Sequence, residues 1–530
     1  MSRRLIAVFV SVVLLSVGWL GGTGLTLLAA FVPLLWISDS YPQPSRRNWW
    51  RVFGWALLTF VLWNAATIWW IWGATPVGPF AATLASSFLN MTAFMLYRTA
   101  AAKSTRALAY TTLAAAWITT EYWYTVGEFS WPWLILGNGF SHDVWAVQWY
   151  EYTGVFGGSL WVLASNIAIY EAWRTRSRRK ALTATAIVSV PMAVSLLIYA
   201  TWDEPIIEEL RRPKVTIVQP DVPVYDDIDP RWRIDNLLAL AAEAPEDVDF
   251  IIMPETAIDD VMAIDETAAY PDTRAIAHPV LDTFASFLRE RYPRATLIAG
   301  AKSIRRYEPS QRSNTARAGN GFYYDIYNSA VGIDLEGAQG IYHKGRLVIG
   351  VEKMPIPKLF EWLNFLIIDL GGTVGQLGVS NERMTFRNLR GCEAGAAICY
   401  EGLYGDFYGG FVREGAQTML IISNDGWWGD TPGYRHLFTI SRLRAIEHRR
   451  AIARSANTGR SGFINARGDI GQTLGWNERG TLTDTLAPDN RLTVYTRYGD
   501  WVARAAQYIL LLCVLCYPAY RVRRRNHLVD

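Results

Sequence analysis

The 530-residue chain has only four cysteines and six histidines. Four cysteines are too few for a disulfide framework. The histidines are scattered, and neither an H-E-x-x-H nor a paired C-x-x-C occurs in the polar middle of the chain, so no metal site is expected. No Gly-rich phosphate cradle is present, so neither ATP nor any other cofactor is expected. The net charge is only +3. The basic residues are dispersed, which argues for topological anchors and against a nucleic-acid surface. The sequence also lacks internal repeats and low-complexity tracts.

Apolar residues are abundant and unevenly placed. Seven apolar segments precede residue 202, at about 5–20, 23–39, 52–73, 78–97, 107–125, 145–171 and 181–200, and an eighth lies near 502–520. Most approach the ~20 residues that cross a bilayer as helix. The first follows Arg3 and Arg4 but has no A-x-A-like cleavage site, and it reads as a retained helix. Lys and Arg cluster in alternate connections, whereas 74–77 and 126–144 contain neither. The positive-inside rule then places both termini in the cytoplasm and residues 201–501 across the membrane. The expected division is a membrane domain, 1–210, with seven transmembrane helices, a far-side domain, 211–500, and an eighth helix with a basic tail, 501–530. Charged residues in the spans are few and near their ends, as with Glu121, Glu151 and Glu171. A transporter or a receptor with a ligand-binding outer domain is therefore the weaker reading.

From Lys214 the pattern changes to short β-rich runs, "KVTIVQP", "DFIIMPE", "ATLIAGA", "NSAVGID", "GAAICYE" and "TMLIISND". Segments with helical spacing, "RWRIDNLLALAAEA" and "PVLDTFASFLRERY", lie between some of them. Continuous apolar runs of this kind are strands buried beneath helices, so an α/β layered domain follows, with chemistry at strand ends. The stretch 305–321 reads as a solvated loop.

Three strand ends carry reactive groups: Glu255 after "IIMP", Lys344 just after "GIY", and Cys399 after "GAAI". Together they suit acyl transfer through a thioester. A neutral thiol needs a base, which Glu255 can be, and a cationic Lys344 can stabilise an oxyanion. The backbone N–H of Tyr400, following the nucleophile, is a natural second donor. Each residue alone also fits a blander role: a solvated carboxylate, a surface cation, a core thiol. Cys392, seven residues before Cys399, leaves a disulfide open. Cys513 and Cys516 read as small apolar packing groups in the last span.

The ordered motifs "MPETAI", "YHKGRLVIGVE", "ICYE", "ISNDGWWG", "RAIEHRR" and "RSANTG" resemble the nitrilase superfamily, and with the eight spans they resemble its membrane-embedded branch, the apolipoprotein N-acyltransferase family. The resemblance implies an eight-helix transmembrane bundle plus a nitrilase-like four-layer α-β-β-α sandwich. It implies a catalytic triad of Glu255, Lys344 and Cys399, with Glu352, Tyr400 and Glu401 in support. Cys392 is then a reduced core thiol. The Pro-Phe that precedes the family's second Glu is replaced here by Ile-Gly-Val, and the family's Arg-containing segment after the fifth span reads "EYWYTVGEF".

By the same resemblance, the acyl donor is a phospholipid such as phosphatidylethanolamine. The acceptor is the N-terminal diacylglyceryl-cysteine of apolipoproteins, and the site is the periplasmic face of a bacterial inner membrane. The chain is expected to act as a monomer. The apolar stretch 354–372, with Phe360, Leu363 and Phe365, reads as a lid dipping into the bilayer, or else as a buried helix. "GEFSWPWLILGNGF" at 127–140, with Trp131 and Trp133, reads as a facing membrane wall, or else as interhelical packing. A membrane-tethered amidase or hydrolase is the alternative function, since it shares the acyl-enzyme step.

Overall fold

The computed structural model describes residues 2–526 except 75, 206, 208–209, 224–227, 263–277, 309, 311 and 354–376. It falls into two compact units, Met1–Thr201 with Tyr498–Asp530, and Trp202–Arg497.

The first unit is helical: α1 (Ser2–Ser16), α2 (Val32–Asp39), α3 (Arg46–Ile68), α4 (Gly78–Lys103), α5 (Arg106–Val126), α6 (Tyr150–Thr175), α7 (Arg178–Thr201) and, last in chain order, α12 (Trp501–Asn526). All eight apolar segments contain helix. Among the described residues five helical stretches are long and apolar enough to cross a membrane: Ser2–Leu20, Arg46–Gly73, Gly78–Lys103, Tyr150–Thr175 and Arg178–Thr201. The apolar stretches Gly24–Asp39 and Trp501–Tyr517 are shorter. Starts are capped in the expected way: Ser45 Oγ accepts from the Asn48 N–H at 3.2 Å, and Thr105 Oγ1 from the Leu108 N–H at 3.2 Å. The core is aromatic, with Trp63, Trp70, Trp117 and Trp133 at most 2% exposed.

Polar groups in this unit repair broken backbone, as a water-free surround requires. Asn166 accepts from the Phe31 N–H and donates to Leu27 O, both at 2.7 Å, across the break before α2. Pro191 inside α7 has no N–H for the Ile187 carbonyl four residues back, and Trp161 Nε1 on α6 supplies that bond at 2.9 Å. Residues 132–146 fold into three short 3-10 turns. The Leu136 N–H donates to Glu121 at 2.7 Å, and Tyr150 OH donates to Gly137 O at 2.9 Å. A Cβ at Gly137 would run into the Val155 carbonyl. Trp133 is therefore an interior residue, edge-on to Trp70 at 4.8 Å, and Trp131 is half-buried. The structure places Trp133 inside the helical unit.

The second unit holds two sheets. The first contains β1 (Lys214–Gln219), β2 (Phe250–Ile252), β3 (Ile258–Met262), β4 (Thr296–Tyr307), β5 (Arg317–Ala318), β6 (Tyr323–Asp334), β7 (Gly337–His343) and β14 (Gly480–Thr485). Its main path runs β14-β1-β2-β4-β6-β5, and β1, β2 and β4 are mutually parallel neighbours. The second sheet runs β13 (Ile470–Leu474), β12 (Ser461–Ile464), β11 (Ile452–Ala456), β10 (Thr418–Ser423), β9 (Glu393–Ile398), β8 (Thr385–Arg387), with β9, β10 and β11 parallel. Helices α8 (Pro230–Ala241) and α9 (Pro279–Arg291) bury Leu237, Leu240, Leu281, Phe284 and Leu288 against the first sheet. Helices α10 (Gly405–Arg413) and α11 (Pro432–His448) cover the second. The sheets face each other, Ser455 Oγ donating to Val218 O at 2.8 Å and Thr296 Oγ1 to Arg387 O at 3.0 Å. The result is a nitrilase-like α/β sandwich.

The stretch 305–321 is not all loop. Arg305–Tyr307 extend β4 in register with Tyr323–Asp325, and Arg306 lies over the Phe322 ring at 4.9 Å.

Candidate active site

The carboxyl ends of β2, β7, β9 and β10 converge, and each delivers one part of the site. After β2 the chain stays pinned to β4: the Met253 N–H donates to Ile298 O at 2.8 Å and the Gly300 N–H to Pro254 O at 3.1 Å. That second contact requires glycine. A Cβ on Gly300 would lie 2.7 Å from both Pro254 O and Thr256 N, backbone atoms that cannot yield. Glu255 is thereby carried into the interior, 4% exposed.

Lys344, immediately after β7, is 1% exposed. Its Nζ donates to Glu255 Oε1 and to Glu352 Oε1, both at 3.0 Å. Burial alone would lower the ammonium pKa, but the two carboxylates outweigh it and hold it well above its usual value. An ammonium has three protons and no acceptor, so these two bonds leave one proton for a bound oxygen.

Asn328, the first residue of the "NSAVGID" run, completes the cluster. Its Nδ2 donates to Glu255 Oε1 at 2.7 Å and to Glu352 Oε1 at 2.8 Å, and its backbone carbonyl accepts the Lys344 N–H at 2.8 Å. Both amide protons are thus used to hold two carboxylates around one cation. The Asn424 N–H, following β10, donates to Glu255 Oε2 at 2.9 Å, and the Val348 N–H donates to Glu352 Oε2 at 2.9 Å.

Cys399 follows β9 and opens a 3-10 turn, Cys399–Leu403. Its φ of 50° lies in the left-handed region, which costs a non-glycine residue on the order of 1–3 kcal/mol and is typical of functional turns. The thiol is 7% exposed. Burial raises its pKa, the Glu255 charge raises it further, and Lys344 and a hydrogen bond with Ser423 pull only partly the other way. The resting group is therefore a neutral thiol. Cys392 is separate, buried and unbridged, its pKa pushed up to about 12, chiefly by burial.

Glu401 ties the Cys399 turn to the Lys344 loop. Its Oε1 accepts from Tyr342 OH and from the Gly345 N–H, both at 2.6 Å, and its Oε2 from the Ile398 N–H at 2.7 Å. Burial raises its pKa and these donors partly offset it. Tyr400 is 2% exposed, with its ring edge-on to Tyr404 at 5.4 Å. Below the thiol, Ser423 Oγ donates to Asp425 at 2.8 Å. Arg454 grips the same carboxylate with two bonds, at 2.7 and 2.9 Å. Burial would lower the Arg454 pKa, and Asp425 more than offsets this.

The structure thus brings together Glu255, Lys344, Glu352, Cys399, Tyr400 and Glu401. Phe360, Leu363 and Phe365 lie outside the described residues, and Trp131 and Trp133 belong to the helical unit. Sequence reasoning passed over Asn328, Ser423, Asn424, Asp425 and Arg454. The available signal was polar side chains within or bordering otherwise apolar runs, in "NSAVGID", "ISND" and "RSAN". Among the described residues no group of three His, Cys, Asp or Glu side chains is arranged to hold a metal ion.

A family model for carbon-nitrogen hydrolases matches residues 214–492, and one for the apolipoprotein N-acyltransferase N-terminal domain matches 11–168. The apolipoprotein N-acyltransferase of Chlorobaculum tepidum is 27% identical over 489 residues, covering 89% of this chain and 88% of that protein. That of Methylococcus capsulatus is 30% identical over 425 residues, covering 78% and 74%. Among solved structures, Saccharomyces cerevisiae Nit3, a member of branch 10 of the nitrilase superfamily, is similar at 14% identity with a TM-score of 0.38, over 56% of this chain and 96% of that one.

Proposed function

This chain belongs to the apolipoprotein N-acyltransferase family, and on that premise we propose that it moves an acyl chain from a phospholipid to the α-amino group of a diacylglyceryl-cysteine through a thioester on Cys399. It is an acyltransferase of lipoprotein biosynthesis with membrane helices. Phosphatidylethanolamine is the donor we favour. The reading includes eight membrane spans, both termini in the cytoplasm and a periplasmic sandwich, supported by the basic residues of alternate connections.

One observation carries the chemistry: a buried Lys344 shared at 3.0 Å by Glu255 and Glu352, beside a neutral thiol at the end of β9. In the first step Cys399 Sγ attacks the ester carbonyl carbon while its proton passes to Glu255. Among the described residues Oε1 already accepts two bonds, from Lys344 and Asn328, and Oε2 one, from Asn424. The thiol proton therefore goes to Oε2. The third Lys344 proton and the Tyr400 N–H stabilise the oxyanion. Its collapse breaks the ester C–O bond, the leaving alkoxide takes the proton from Glu255, and a lysophospholipid departs. In the second step the amine attacks the thioester and Glu255 accepts the amine proton. The C–S bond breaks and the proton returns to sulfur.

Glu352 keeps Lys344 aligned when Glu255 is transiently neutral. Glu401 positions the nucleophile turn against the Lys344 loop. A bilayer site suits both substrates, since drawing an acyl chain into water costs about 0.8 kcal/mol per CH₂.

The test is a transfer assay with phosphatidylethanolamine carrying a tagged acyl chain and a diacylglyceryl-cysteine peptide. The expected result is tag on the peptide amine, absent with Cys399→Ser and present with Cys392→Ser. Release of the tag only as free fatty acid would assign a hydrolase instead.

A further inference from the structure

Within the helical unit, α5, α6, α7 and α12 leave a groove of about 950 Å³ between them. Its walls contain no ionisable residue. Small side chains open it: Ala114, Gly157, Ala164, Ala186 and Ala505. Five polar side chains along it bond to backbone carbonyls. Trp149 Nε1 donates to Ala146 O at 3.2 Å, Trp161 Nε1 to Ile187 O at 2.9 Å and Trp501 Nε1 to Tyr152 O at 2.8 Å. Thr153 and Thr183 donate to the carbonyls of Gly154 and Arg179.

These facts narrow the occupant. A resident water needs two to four polar partners, and a peptide or a sugar would bury polar groups with nothing to receive them. An empty groove of this size would forfeit the dispersion contacts of its lining. A hydrocarbon chain meets none of these objections. Along α12 the groove runs from Trp501 to Ile509, which at ~1.5 Å per residue is ~12 Å, comparable with the ~15 Å of half of a bilayer's hydrocarbon core. Trp149 and Trp501 stand at one end, where amphipathic rings settle at a membrane interface. Moreover, α7 buries only Ala184 and Ser195 of its 24 residues, so it lacks a packing partner along the side that lines the groove.

We infer that this groove seats one acyl chain of a resident phospholipid, which completes the packing of α7 against α5 and α12. The inference stands whether or not the catalytic reading does.

Native mass spectrometry of the full chain, extracted in mild detergent, tests it together with thermal unfolding. Wild type should retain one diacyl phospholipid per chain. Exhaustive delipidation should lower its Tm by several degrees, and added phospholipid should restore it. Filling the groove with Ala186→Phe and Ala505→Phe should abolish the lipid adduct and leave the Tm insensitive to delipidation. A detergent adduct alone, equal lipid retention in the filled variant, or an unchanged Tm after delipidating wild type would overturn the inference. The last arm needs no variant, so it decides the matter even if the filled protein does not fold.

Discussion

Three of the four lone pairs on the Glu255 carboxylate are engaged before any substrate arrives, by Lys344, Asn328 and Asn424. The neutral Cys399 thiol is a weak nucleophile. The proton must therefore move as the substrate carbonyl is attacked, not before. Two predictions follow at this scale. Glu255→Gln removes the charge that helps keep the thiol protonated, so iodoacetamide should alkylate Cys399 faster at neutral pH while acyl transfer is lost. Asn328→Asp places a third carboxylate at one lysine and removes two donors. Loss of a hydrogen bond to a charged group costs roughly 1.5–3 kcal/mol, so kcat/KM at pH 7.5 should fall by roughly 10- to 100-fold. Part of it should return at lower pH, where one carboxyl is protonated, and a loss that does not vary with pH would contradict this role. The three residues proposed to react stand out in the sequence because each lies in a motif that follows a strand-like run. Their partners do not, because Asn328 and Asn424 lie 73 and 169 residues from Glu255, and nothing local shows that these positions meet.

Turns and loops fix where the reactive atoms stand. Glu401 receives three donors from two loops, and Glu401→Gln would turn an amide N–H toward at least one of them. An unsatisfied buried donor costs about 1–3 kcal/mol. Acyl transfer should fall at least tenfold with a lower Tm, and Tyr342→Phe, which removes one donor and leaves no clash, should be milder. Gly300→Ala should push the Glu255 segment off β4 and lower acyl-enzyme formation more than stability. In α7, Trp161→Phe orphans the Ile187 carbonyl, while Pro191→Ala restores an N–H to the same oxygen. The double variant should therefore be more stable than Trp161→Phe alone, and strict additivity would contradict the pairing. Helices were readable from apolar runs, as were β1, β2, β9 and β10. The 3-10 turns of 132–146 were not: the run "WPWLILG" looks like a membrane-facing surface, and only the contacts of Glu121, Tyr150 and Trp70 show that it is interior.

For the whole molecule, the sequence separates a helical unit from a sandwich because hydropathy changes abruptly at about residue 202 and again near 500. Among the described residues five helical stretches pass as spans on length and hydropathy. Global stability should also report the buried Cys392. The unfolded chain releases that thiol proton near its usual value of about 8.5, whereas the folded one holds it to about 12. Stability is therefore complete below about 8.5 and is lost as pH rises toward 12, by up to ~1.4 kcal/mol per pH unit. Relative to Cys392→Ala, wild-type Tm should drop between pH 8 and 9.5, and parallel curves would contradict the assignment. The central claim is the thioester on Cys399. Intact-protein mass spectrometry after incubation with phosphatidylethanolamine, without acceptor, tests it most directly. The account predicts a mass increase of one acyl chain, located on the Cys399 peptide, removed by hydroxylamine or acceptor peptide and missing in Glu255→Gln. An enzyme that transfers acyl chains with no such adduct, or with the adduct on another residue, would contradict it.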